Sequence, residues 1–282
     1  MTNAQLLQQL IKVPYLPLLG PVHPEYVTEQ LLAEIFSSES AGQLLPFDKD
    51  RRWYSSKPAI ILFDAIKRNA NGLIVPVLSK KTERVKLLCY GKVTQGELRQ
   101  CIEATRGSHP TCRIFIVSFA PDAMAEDDAS IIFLKSFSSI DIQPDNPAVE
   151  RTGVENAGSL VSLADDVENV GFGFLAQQYG NRKLGPTFVV RDRGQVVAAV
   201  GPIDLMPDFD GHAVCLPPYV GVASKYRGRG LGSQVWKAAM SYAAVTGATY
   251  LLLQSVAGEA SEYFYESQGL VRLGAVMSRQ IV

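Results

Sequence analysis

Tyr219-Val220-Gly221-Val222-Ala223-Ser224-Lys225-Tyr226-Arg227-Gly228-Arg229-Gly230-Leu231-Gly232-Ser233 sets a β-branched run against a basic, glycine-dense turn that opens into an apolar-periodic segment. The pattern predicts strand, turn and helix in immediate succession. Backbone N–H groups without partners gather at such a helix N-terminus, where the dipole favours negative charge. Glycines let the backbone approach an anion closely, and Lys225, Arg227 and Arg229 add positive charge around it. In chemical terms the stretch is a diphosphate cradle. A P-loop would need Lys-Ser or Lys-Thr after the last glycine, and Gly232 is followed by Ser233-Gln234. A dinucleotide fold would want Gly-x-Gly-x-x-Gly and an acidic residue about 20 positions on. The glycines instead run Gly228, Gly230, Gly232, and the next strand, Tyr250-Leu251-Leu252-Leu253-Gln254, carries no carboxylate.

A third pattern, Arg/Gln-x-x-Gly-x-Gly/Ala, is matched at every specified position by Arg227-Gly228-Arg229-Gly230-Leu231-Gly232. On these residues the chain resembles the GCN5-related N-acetyltransferase (GNAT) family, whose loop of this form grips the pyrophosphate of coenzyme A. A second segment, Ser261-Glu262-Tyr263-Phe264-Tyr265-Glu266-Ser267-Gln268-Gly269-Leu270, is similar to the late helix of that family, ending on Gly269 as a left-handed cap. Two features depart from the family pattern. Leu270 replaces the common Phe, and Gly258 stands where many members carry an Asn that contacts the pantetheine arm. The resemblance covers about residues 150 to 282 and is specific from about 219 to 270.

The resemblance implies acetyl-CoA as cosubstrate and a mixed, splayed β-sheet flanked by helices. It implies that the backbone of Val220, Gly221 and Val222 pairs with the pantetheine arm, and that Arg227, Gly228, Arg229, Gly230, Leu231, Gly232 and Ser233 hold the pyrophosphate. Pro217-Pro218 just upstream fits a strand that cannot continue its ladder, or simply marks a bulge. Tyr265 is the candidate acid for the departing thiolate, the alternative being that it only packs or hydrogen-bonds the sulfur.

Other site residues follow from chemistry alone. His212, near the start of the strand leading to the cradle, is the candidate general base through water, or a plain polar residue beside a turn. Asp204, Asp208 and Asp210 could attract an ammonium group, or serve only their turn. Cys215 on the same strand could form an acyl-enzyme, but no charged partner is evident to activate it, and packing is the plainer role.

The 282 residues are 47% hydrophobic and 20% charged, with a net charge of −1, which describes a globular chain with a substantial core. That balance exerts no general pull toward nucleic acid or membrane, and neither is expected as a partner. No segment approaches the roughly 20 apolar residues of a membrane helix. The start, Met1-Thr2-Asn3-Ala4-Gln5, lacks a signal peptide's regions, so a cytoplasmic location is expected. Cys89, Cys101, Cys112 and Cys215 form no Cys-x-x-Cys pair and read as reduced thiols, with no metal expected. The partner expected is a small-molecule or peptide amine acceptor, with a homodimer left open.

Two domains are expected: an N-terminal α/β domain over 1–143, open to being a degenerate copy of the same fold, and the acetyltransferase domain over 144–282. In the first, helices are expected at about 6–11, 24–36 and 57–70. Strands are expected at 73–78, peripheral because of Pro76, at 85–90 and at 113–119, and a helix capped by Thr94 and Glu97 at 94–106. Residues 121–130 read as an acidic turn, and 131–142 as strand-like. In the second, two helices span 157–179, a hairpin turns at Asp192-Arg193-Gly194, and one strand runs from His212 to Val222. Leu231, Val235, Trp236, Ala239, Met240 and Ala243 form the apolar face of the helix after the cradle. The main alternative function, from a different class, is an acyl-CoA-binding sensor or scaffold that has lost turnover.

Overall fold

The computed structural model describes residues 60–69, 72–79, 82–91, 93–120, 129–153, 157–167, 184–207 and 211–281. In chain order these form β1 (Ile60–Ile61), β2 (Lys67–Arg68), β3 (Gly72–Ser79), β4 (Arg84–Gly91), α1 (Gln95–Ser108), β5 (Arg113–Ala120), β6 (Ser130–Ser136), β7 (Glu150–Thr152) and α2 (Ala157–Val167). They continue with β8 (Thr187–Asp192), β9 (Gln195–Gly201), β10 (Leu205–Pro207), β11 (Ala213–Cys215), β12 (Tyr219–Val222), α3 (Leu231–Val245), β13 (Tyr250–Val256), α4 (Ala260–Ser267) and β14 (Val271–Ile281). The helices expected at 6–11 and 24–36, all but the last two residues of the acidic turn expected at 121–130, and the second helix of the 157–179 stretch lie outside the described residues.

Two compact units emerge, and the chain passes between them within β13. One comprises the described residues within 136–206 and 212–251, the other those within 60–135, with 207, 211 and 252–281. The fold is mixed α/β in both.

In the first unit β12-β9-β8-β7 form an antiparallel four-stranded sheet. Its hairpin turns as expected, with Arg193 and Gly194 both at positive φ, the geometry that suits the right-handed twist of the flanking strands. Helix α3 packs on β8, β9 and β12. Val235, Trp236, Ala239, Met240 and Ala243 are buried, so the apolar face is the one the sequence spacing predicts. Phe188 of β8 meets Tyr242 of α3 with ring centroids 5.5 Å apart. A separate parallel pairing joins Val214 to Tyr250 and Cys215 to Leu251.

In the second unit the strand order is β1-β3-β4-β5-β14-β6-β13, with β2 also on β3. The last strand, β14, lies between β5 and β6 and is antiparallel to both, so residues near the C-terminus close a sheet begun far upstream. Helix α1 carries the expected capping box. The Thr94 hydroxyl accepts from Glu97 N–H, and the Glu97 carboxylate accepts from Thr94 N–H. It covers Ile74, Leu78, Val85, Leu87, Cys89 and Ile114 through Cys101, Leu98 and Ile102.

Three expectations are corrected. Residues 57–70 are not one helix: of these, 60–69 form β1, a 3-10 turn and β2, because Ile60 and Ile61 pair with Leu78 and Val77 of β3. Tertiary pairing there outweighs helical spacing. Strand β3 is not peripheral, since β1 and β2 flank it on one side and β4 on the other. Pro76 is accommodated because its carbonyl accepts from Leu62 N–H while the Leu62 carbonyl is taken by Ala65 N–H in the 3-10 turn. The missing proline N–H therefore costs no ladder bond. Finally, His212–Val222 is two strands, because Leu216-Pro217-Pro218 ends β11 on its β13 pairing before β12 begins on β9.

Candidate functional site

Among the described residues strand β12 is an end strand of its sheet, paired with β9 alone. Its register places Val222 opposite Ala198, and Ala223 N–H donates to Val197 O at 2.8 Å. Antiparallel ladders alternate, so Gly221 shares the orientation of Ala223 and directs its backbone groups at β9. Val220 and Val222 then direct theirs at the open edge. The side chain of Arg227 confirms the direction at one of them, donating from Nε to Val222 O at 3.2 Å. Of the three residues expected to pair with a ligand, two offer their backbone outward and Gly221 serves the sheet.

A 3-10 turn, Ser224–Tyr226, carries the chain from β12 into the glycine turn. Gly228 and Gly230 adopt φ of 74° and 76°, left-handed values that a side chain rarely tolerates. A Cβ at either would meet nothing within 4 Å, so glycine answers to backbone conformation there, and the space above the turn is open. Gly230 is the N-cap of α3 and supplies no side-chain cap. The first helical hydrogen bond runs from Gln234 N–H to Gly230 O. The N–H groups of Leu231 and Gly232 precede it and have no acceptor within the helix. An anion is the complement of such a terminus.

The basic side chains brace this turn. Arg229 donates from Nη2 to Lys225 O at 3.0 Å, and both the Arg229 guanidinium carbon and Lys225 Nζ lie 5.1 Å from the centre of the Tyr226 ring. The Tyr226 hydroxyl donates to Asp192 at the tip of the β8–β9 hairpin, and that bond holds its phenol above the usual value. Tyr226 and Asp192 are thus part of the cradle's scaffold, and nothing local in the sequence signals their pairing.

His212 is half-buried at the entry to β11, in the same unit as the cradle. Asp204 has its carboxylate engaged by the backbone, accepting from Gly185 N–H at 2.6 Å. Asp208 and Asp210 lie outside the described residues. Cys215 is fully buried, its thiol donating to Leu216 O at 3.7 Å, which is the packing role and leaves no access for an acyl-enzyme.

Tyr265 belongs to the second unit, on α4. It is 7% exposed, and burial pushes its phenol up to about 12. Its ring meets Phe133 of β6 at 5.9 Å and Phe264 at 5.6 Å between centroids. The helix ends as expected, with Gly269 at φ 75°. Glu262 on the same helix is also 7% exposed and pairs with Arg272 of β14 at 2.9 Å. Sequence reasoning passed over both, because their partnership joins a helix to a strand. Among the described residues no group of three or more His, Cys, Asp or Glu could hold a metal ion, and no helix is long and apolar enough to cross a membrane.

Residues 183–271 match the family model described as an acetyltransferase (GNAT) domain. Among solved structures, the chain is similar to a GNAT-family acetyltransferase from Colwellia psychrerythraea, at 17% identity and a TM-score of 0.54, covering 92% of this chain and 97% of that one. It is also similar to a functionally unknown conserved protein from Staphylococcus epidermidis, at 12% identity and 0.51, covering 75% and 91%. A tandem GNAT protein from the clavulanic acid biosynthesis pathway aligns at 11% identity and 0.50, covering 99% and 96%. Identities this low speak to fold alone. No curated protein matches the chain. The match to a GNAT acetyltransferase domain thus lies within the C-terminal half of the chain, over residues 183–271.

Proposed function

We propose that this chain is an acetyl-CoA-dependent N-acetyltransferase that moves the acetyl group to a primary amine by direct transfer in a ternary complex. The observation that carries the reading is the unbroken succession of an open β12 edge, two left-handed glycines and the uncapped N-terminus of α3. The edge groups of Val220 and Val222 suit an extended amide-bearing arm, which would add to the sheet as a strand does. The amides of Leu231 and Gly232, with Ser233 beside them, suit a diphosphate, and Arg227 and Arg229 supply its countercharge. Bound coenzyme supplies an activated acyl thioester.

In the transfer a C–N bond forms, the C–S bond breaks, the sulfur keeps the electron pair, and the amine gives up one proton. His212 takes that proton through water, and Tyr265 donates to the departing sulfur. The acceptor is a small-molecule or peptide amine, and the chain acts in the cytoplasm without nucleic acid or membrane.

The test is free-thiol release from acetyl-CoA with a panel of amines, antibiotics, amino acids and lysine peptides, with the acetylated product identified by mass. Amine-dependent release supports the reading. Tight acetyl-CoA binding without turnover on any amine would replace it with an acyl-CoA sensor or scaffold.

A further inference from the structure

A carboxylate that is 7% exposed must be hydrogen-bonded or paired, and Glu262 is both. One oxygen accepts from Gly258 N–H at 2.7 Å, and the other accepts from Arg272 Nη1 at 2.9 Å. Gly258 makes the turn from β13 into α4 with φ 78°, and Arg272 lies at the start of β14. Helix α4 has Glu259 as N-cap with no side-chain cap of its own, so Glu262, at the third helical position, reaches back past the N-cap to the turn. Beside it, the Ser255 and Ser261 hydroxyls join at 2.7 Å, a second tie between the end of β13 and the first turn of the helix. Three chain segments of one unit thus converge on the first turn of an eight-residue helix.

Tyr265 stands three residues after Glu262, and residues so spaced share a helix face. Both are buried. An eight-residue helix has little stability of its own, so its direction is set by what anchors it. We propose that Glu262 is the positioning residue for Tyr265: held between Gly258 N–H and Arg272, it sets the angle and register at which α4 leaves the β13 turn, and with them the aim of the Tyr265 hydroxyl. The inference rests on the reading of Tyr265 as the donor to the leaving sulfur. A merely structural ion pair would lower stability and leave turnover of the folded protein alone.

The test is a double-mutant cycle on the full chain with acetyl-CoA and a productive amine. Glu262→Ala is expected to lower kcat by about 10- to 50-fold, with KM for acetyl-CoA within about twofold. Glu262→Gln, which keeps an acceptor for Gly258 N–H, is expected to lose only about two- to fivefold. In a Tyr265→Phe background, Glu262→Ala is expected to cost almost nothing further, because the hydroxyl it aims is already gone. An equal loss in both backgrounds overturns the proposal. A second readout needs no turnover: the ring-carbon NMR resonance of Tyr265, assigned through Tyr265→Phe, is expected to move in folded Glu262→Ala, and an unmoved resonance also overturns it. Should the wild-type chain transfer acetyl to no amine, the proposed function falls and the resonance alone judges the positioning. Should Glu262→Ala fail to fold, Glu262→Gln and Arg272→Met are read in the same two ways.

Discussion

Replacing Tyr265 by Phe removes one hydroxyl from a site where burial pushes the phenol up to about 12. A thiol has a reference pKa of about 8.5, so complete proton transfer from this phenol to a thiolate at reference values is uphill by about 3.5 units, or about 5 kcal/mol. Burial raises a thiolate formed in similar surroundings too, which narrows the gap. In the proposed mechanism Tyr265 therefore acts first as a neutral hydrogen-bond donor to developing negative charge. Such bonds to charged groups contribute about 1.5–3 kcal/mol, which converts to a loss of about 10- to 150-fold in kcat for Tyr265→Phe. The KM for acetyl-CoA is expected to stay within about twofold. The assay is thiol release at saturating acetyl-CoA and amine, on protein shown to be folded by circular dichroism. Turnover within about threefold of wild type refutes the role, and a loss beyond about a thousandfold would indicate full proton transfer in the rate-limiting step. The pH profile carries the same reasoning. Because the folded pKa is raised, the protonated donor is fully present below the ordinary tyrosine value and is lost only as pH rises through about 12. No descending limb of kcat near 10 should belong to Tyr265. A limb there that vanishes in Tyr265→Phe would show the phenol ionising as an exposed one does.

Val220→Pro deletes a donor at the open edge of β12 while sparing the β9 ladder, and is expected to raise KM for acetyl-CoA by about two- to twelvefold with little change in melting temperature. Gly221→Pro deletes the donor that faces β9 and is expected to lower the melting temperature instead; equal thermal effects of the two would contradict the alternation that Ala223 and Val197 define. Among the four thiols, half-buried Cys112 should react first with an alkylating reagent. Cys89, pushed up to about 12 by burial with Cys101 nearby, and Cys101 and Cys215, both buried, should label only on unfolding, as read by mass after timed quenching.

The features legible in the sequence are those whose partners lie within a few residues. The Thr94–Glu97 box closes over one helical turn, the Asp192-Arg193-Gly194 turn sets its own backbone angles, and the cradle needs only glycines at 228 and 230 and a helix after them. The 57–70 stretch suggests a helix because Ile60, Ile61, Phe63 and Ile66 are apolar at spacings a helix would use, while the pairing with β3 that wins is invisible locally. His212–Val222 suggests one strand for the opposite reason. Its β-branched content is real, but two adjacent prolines divide it between two pairings.

The proposed roles divide along the same line. The proposed binding role rests on local features, a strand edge and a turn and a helix end in sequence, so a degenerate motif suffices to find it. The proposed positioning role does not. Glu262 reads as an ordinary helix carboxylate until Arg272 is placed beside it, and Arg272 is placed there because β14 is drawn between β5 and β6. Strand β14 thus has two consequences at once: it completes the sheet of its unit, and it brings a guanidinium to the first turn of the helix that carries Tyr265. The aim of that tyrosine is accordingly a property of the strand order, which no motif around position 265 encodes.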